Sequence, residues 1–201
     1  MARINGDKMS GKLGDRIYSS WHGRPYTKSR PAEVANPRTE AQQRHRNAFA
    51  EISRLSSHLK EAHLVGLHQA AVRMQLNTYS VFKKINKDRF GADGIDYSAI
   101  EVSRGPVKTV HVTAVQRGAD GMPTLAFDSL GTGGAATDML LVFAYNPRER
   151  TCLPAGAAAR AEGTAPLELP EEWLGATVHL YAFLRDRRGR TSNTIHIQLP
   201  E

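Results

Sequence analysis

Eight histidines and one cysteine are the residues from which metal or nucleophilic chemistry would be built in this chain. His58, His63 and His68 stand at five-residue steps, and each step advances about 140° round a helix of 3.6 residues per turn. A continuous helix would hold them on different faces, and the His-Glu-x-x-His spacing of a zinc helix does not occur. His111, His179 and His196 alternate with apolar residues in β-type runs, which predicts that they face solvent. Cys152 lies beside Leu153-Pro154, with Arg148 and Arg150 close in sequence. Cations lower a thiol pKa, but no signature of a cysteine enzyme surrounds this residue, and it reads as a small apolar loop residue. Ser20 and His22 would share a strand face, with no third group to orient the imidazole. Gly131-Thr132-Gly133-Gly134 lacks the Lys-Ser/Thr ending of a phosphate loop and precedes a strand, whereas a phosphate cradle needs helix N-terminal amides. Glu171-Glu172 read as solvated charges near a turn. The chain is therefore expected to be non-enzymatic, with no catalytic residue, metal or cofactor.

A second constellation suits binding. Arg16, Arg24, Lys28 and Arg30 border Trp21 and Tyr26, a mixture of cations and stacking rings that can grip a nucleic-acid strand. Arg44, Arg46 and Arg54 extend it. Residues 1–60 hold 12 Lys and Arg against 5 Asp and Glu, whereas residues 61–201 hold 15 of each. The net charge of +7 therefore sits wholly in the first third. Such a patch meets nucleic acid, an acidic protein surface or an anionic membrane, or else it is a solvated arm.

The elements that would position these groups follow from periodicity and punctuation. Residues 1–15, rich in Gly and Lys, read as an extended arm. Ile17–Trp21 and Pro25–Thr27 flank His22-Gly23-Arg24, the pattern of a hairpin. Two strands alone are marginal in water, so this hairpin must lie on something else. Pro37 after Asn36, or Thr39-x-x-Gln42, starts a helix whose apolar stripe is Ala41, His45, Ala48, Phe49, Ile52, Leu55 and Leu59. A second helical pattern runs from about Leu64 to Ile85 and stops at Gly91-Ala92-Asp93-Gly94.

From Ile95 the period becomes two. Extended segments are expected from 95–98 up to Ser103-Arg104-Gly105-Pro106, and at 107–115, 124–127 and 139–145, with a loop or one short strand over 148–166. Thr177–Leu184 and Thr194–Leu199 form a hairpin round Arg185–Arg190. The expected fold class is α+β. An N-terminal basic arm and β-hairpin (1–35) and a two-helix segment (36–94) precede an antiparallel β-sandwich of immunoglobulin-like architecture (95–201). With 201 residues, 40% of them apolar, the chain can bury a core. A single cysteine excludes a disulfide framework. No apolar run approaches the roughly 18 residues of a membrane span, and the first residues carry no signal-peptide pattern. The expected location is the cytoplasm or the inside of an assembled particle.

Several segments in this order resemble an uncharacterised family of gut Bacteroidota, the domain-of-unknown-function family 6266. They are Gly11-Lys12-Leu13-Gly14-Asp15 with the aromatic hairpin, Asn36-Pro37-Arg38-Thr39-Glu40-Ala41-Gln42, Ile95-Asp96-Tyr97-Ser98, Val102-Ser103-Arg104-Gly105, and the closing hairpin from Val178-His179-Leu180-Tyr181 to Thr191-Ser192-Asn193. Pro106, directly after Gly105, departs from the pattern. The resemblance implies an architecture and no activity. The Gly-Lys-Leu-Gly arm, the hairpin and the helix start are also similar in style to small phage-like virion proteins, which lace subunits together with basic arms. The expectation is thus a structural or interaction protein that assembles through its N-terminal arm into a homo-oligomer or larger particle. The alternative is a nucleic-acid-binding protein using the basic aromatic hairpin.

Overall fold

The computed structural model describes residues 3–5, 8–32, 38–91, 94–117, 122–129 and 134–199. The Asn36-Pro37 helix start, Ala92-Asp93, the Gly118–Gly121 turn and Gly131–Gly133 lie outside them. The chain divides into two compact units, Met1–Gln42 and Gln43–Glu201.

The first unit is a meander of four antiparallel strands in the order β1-β2-β3-β4: Arg3–Asn5, Lys8–Leu13, Arg16–Trp21 and Arg24–Ser29. Arg3–Asn5 and Lys8–Leu13, in the segment expected as an extended arm, are thus two paired strands. Turn chemistry explains why. Gly14 has φ +58°, and His22 and Gly23 have φ +46° and +78°, the left-handed pair of the two-residue turn that best matches strand twist. The expected hairpin is β3–β4, with Trp21 opposite Arg24.

Helix α1 (Glu40–His58), all but its first three residues in the second unit, starts at Thr39, whose Oγ1 accepts from the Gln42 amide at 3.3 Å. The region expected to hold one further helix holds three: α2 (Lys60–Gly66), α3 (His68–Met74) and α4 (Thr78–Asn86). The i to i−4 bonding passes through Leu59 and Leu67, so α1, α2 and α3 follow one bent path. The real break comes at Gln75, at φ +53°, and Asn77 then caps α4 by accepting from the Ser80 amide at 2.8 Å.

A two-residue ladder pairs β5 (Phe90–Gly91) with β6 (Gly94–Ile95), and Tyr97–Ala99 is a 3-10 turn where an extended stretch was expected. The remaining strands are β7 (His111–Arg117), β8 (Pro123–Asp128), β9 (Met139–Asn146), β10 (Thr151–Ala159), β11 (Thr164–Pro166), β12 (Val178–Arg185) and β13 (Ile195–Leu199). They form two antiparallel sheets ordered β10-β9-β12-β13 and β11-β8-β7. β10 is nine residues long where a loop or short strand was expected. Its small residues permit close approach: a Cβ on Gly156 would lie 2.5 Å from the Pro166 carbonyl oxygen.

The central sheet is covered on both faces. Leu140, Val142, Ala144, Leu180, Ala182 and Leu184 pack with Leu125, Phe127 and Ala165 of the second sheet. Phe143, Tyr145, Tyr181 and Phe183 point the other way and pack with Ile52, Leu55, Leu59, Val81 and Phe82 of the helices. Helices, central sheet and outer sheet are three layers of one unit. The uninterrupted apolar run 139–145 is the sequence mark of a strand buried on both sides.

Candidate interaction face

Cross-strand register decides which of the sequence-selected residues share a surface. Residues directly opposite on neighbouring strands point to the same side, and successive residues alternate. Lys12 pairs with Ile17 and Ile17 with Lys28; Ser19 pairs with Tyr26, and Trp21 with Arg24. One face of the N-terminal sheet therefore carries Lys12, Ile17, Ser19, Trp21, Arg24, Tyr26 and Lys28, with no carboxylate among its described side chains. The opposite face carries Leu13, Arg16, Tyr18, Ser20, Pro25, Thr27 and Ser29. Of the nine residues singled out, the sheet thus gathers Trp21, Arg24, Tyr26 and Lys28 and sends Arg16 to the other side. Arg30 follows β4, where its amide donates to the Asp15 carbonyl at 2.6 Å. Lys12 joins the face without having been selected. Its signal was the two-residue Gly14-Asp15 turn, which sets Leu13 against Arg16 and hence Lys12 against Ile17.

These groups are open to solvent. Trp21 is 65% and Tyr26 45% exposed, and every residue of β4 is exposed. The His22 ring meets Trp21 edge-on at 4.7 Å. The free edge of β4 is a poorer surface than the face. The Arg30–Asp15 bond and the register place Ile17–Lys28, Ser19–Tyr26 and Trp21–Arg24 in hydrogen-bonded pairs, so the backbones of Pro25, Thr27 and Ser29 face outward. Pro25 has no N–H to offer there, a common protection of an edge strand.

The three arginines of α1 belong to a different setting. Arg54 pairs with Glu51 one turn away. Arg44 and Arg46 are exposed, and Arg44 borders a depression with His45, Ala48, Lys87, Phe90 and Ile95. Phe49 stands 55% exposed beside it with Lys83 Nζ 5.1 Å from its ring centre. The stripe read from the sequence is buried from Ile52 onward and open before it.

Apart from the His179–His196 pair, the described histidines and Cys152 lie at separate places. His68 is exposed, His58 lies near the Tyr145 ring at 6.4 Å, and His63 is fully buried with Nε2 2.8 Å from the Ser56 carbonyl oxygen. Burial lowers the pKa of both His58 and His63, and the charge of Arg150 lowers His58 further. His111 is exposed as expected, but His179 is buried, because the sheet face it occupies is covered by the 3-10 turn and helices. Tyr97 stacks on it at 4.7 Å, and its Nδ1 lies 3.0 Å from His196 Nε2. Burial, and then the charge of His196, bring the His179 pKa down to about 4. Cys152 is half-buried in β10, and burial pushes its thiol up to about 12, which favours the protonated form. Among the described residues no three His, Cys, Asp or Glu are grouped to hold a metal ion, and no helix is long and apolar enough to cross a membrane.

No curated protein and no solved structure matches the chain. Residues 8–198 match the model of the Family of unknown function (DUF6266), and with nearly its whole length covered the chain belongs to that family.

Proposed function

We propose that this chain is a non-enzymatic interaction protein that assembles, as a homo-oligomer or as part of a larger particle, through its N-terminal sheet. One observation carries the reading: among residues 9–32 no side chain is buried, although they form a regular antiparallel sheet. Small sheets gain stability by covering an apolar face, and the second unit already holds every residue of the two buried clusters. The neutral face with Leu13, Tyr18 and Pro25 suits contact with another copy. Among its described side chains Arg16 alone is charged, so two copies can meet there without a large like-charge penalty. The guarded edge of β4 favours this face-on contact over strand addition.

Light scattering on the full chain and on a chain lacking residues 1–35 tests the proposal. The full chain should sediment and scatter as an oligomer, and the shortened chain as a folded monomer. An unchanged number of subunits after the deletion, or a monomeric full chain at tens of micromolar, overturns it.

A further inference from the structure

We infer that the cationic aromatic face of the N-terminal sheet is a platform for single-stranded nucleic acid, an inference that takes the sheet to be an interaction module and adds the partner of its other side. Three physical arguments converge. The first is sign. Lys12, Arg24 and Lys28 share this face with no described carboxylate, so a copy-to-copy contact here would set cations against cations, whereas a polyanion neutralises them.

The second is spacing. Arg24, Tyr26 and Lys28 alternate cation, ring, cation along β4, and next-nearest residues of a strand lie about 7 Å apart. Trp21 is the diagonal neighbour of Tyr26, also roughly 7–8 Å away by strand geometry. That is about twice the 3.4 Å per-nucleotide rise of a duplex strand, so the rings suit bases splayed from an extended single strand. The third is the rings themselves. An acidic peptide needs cations alone, whereas two open rings level with the cations offer stacking to bases of any sequence.

Fluorescence anisotropy of the full-length chain with fluorescein-labelled oligothymidylate of about 20 nucleotides, long enough to exceed the 4–16 nucleotides of a comparable sheet platform, provides the test. An oligouridylate of the same length distinguishes RNA from DNA, and the annealed duplex controls for strandedness. Binding should weaken with salt at a log–log slope of roughly −2, three cations at about −0.7 each. Trp21→Ala and Tyr26→Ala should each cost about tenfold in affinity, while Tyr26→Phe keeps it. The pair Arg24→Gln and Lys28→Gln should bring the slope close to −0.7. Arg16→Gln, on the opposite face, should leave affinity within about twofold.

Absence of binding at low salt overturns the inference. So does equal weakening by Arg16→Gln and Arg24→Gln, or full affinity after removal of both rings, or displacement of the oligonucleotide by polyglutamate at equal charge. Should the ring variants misfold by circular dichroism, Tyr26→Phe and the glutamine pair still decide. Light scattering on the same samples separates the two readings. Oligomers that ignore oligonucleotide refute the platform alone, and oligonucleotide binding by a chain that never oligomerises refutes the assembly alone.

Discussion

Two four-stranded antiparallel sheets in one chain have opposite surroundings. In β12 of the central sheet all residues but Arg185 are buried; in β4 of the N-terminal sheet every residue is exposed. Both have regular ladders; in the N-terminal sheet the tight turns set the register, and in the central sheet the buried pattern on each face does. What separates them is the character of the side chains. Residues 178–184 are almost entirely apolar or aromatic and are gripped from both sides, whereas residues 24–29 mix cations, a ring, Pro and hydroxyls that water or a partner must satisfy. One sheet is built into a core, and the described side chains of the other are not buried.

Substitutions should sharpen that contrast, the central sheet first. Phe183 is fully buried and stacks on Phe143 with ring centres 5.8 Å apart. Phe183→Ala should lower unfolding free energy by about 3–5 kcal/mol in urea titration, and a loss under 1 kcal/mol would remove the contrast. Gly66 is next: a Cβ there would lie 2.3 Å from the Val102 carbonyl oxygen, and its own carbonyl accepts from Thr191 Oγ1 at 3.0 Å. Gly66→Ala should cost about 1–3 kcal/mol by forcing the helix layer off this strap, seen as a lower midpoint with an unchanged urea slope.

Acid should weaken the second unit more gradually. Between the ordinary histidine value of 6.5 and about 4, folded His179 binds fewer protons than the unfolded chain does. Stability is therefore complete above about pH 6.5 and falls as pH drops toward 4. His63 and His196 are shifted the same way, chiefly by burial, and add to the slope. Replacing His179 with Gln should flatten the pH dependence of the urea midpoint in that window, and an equal slope in the variant would move the effect elsewhere. Smallest of all, Trp21→Ala should change the stability of the second unit by less than about 0.5 kcal/mol. A larger loss would mean that the N-terminal ring supports the core after all.

Much of the scaffold was readable from residue order because its causes are local. His22-Gly23 demands a tight left-handed turn, Thr39 offers a cap to Gln42, and the closing hairpin announces itself by two β-forming runs about a polar turn. The candidate site was half readable. Trp21, Arg24, Tyr26 and Lys28 alternate, but assigning Lys12 to them and Arg16 against them needed the pairing of β2 with β3. Two misjudged regions share one cause. His179 was expected in solvent and the segment 148–166 in a loop or one short strand, because neither contains its own reason to be buried. His179 is covered by distant residues such as Tyr97, and β10 exists because β9 lies alongside it.

Local steric preference and the distribution of charge belong to the chain itself. They determine the turns, the helix start, the α+β class and the concentration of cations in the first third, since each depends on residues within a few positions of one another. Long-range packing alone decided that the central sheet would be covered on both faces, that His179 would be buried, and which cations would stand beside which rings. Such outcomes turn on surfaces that meet only after folding, where a one-residue change of register reverses every side chain.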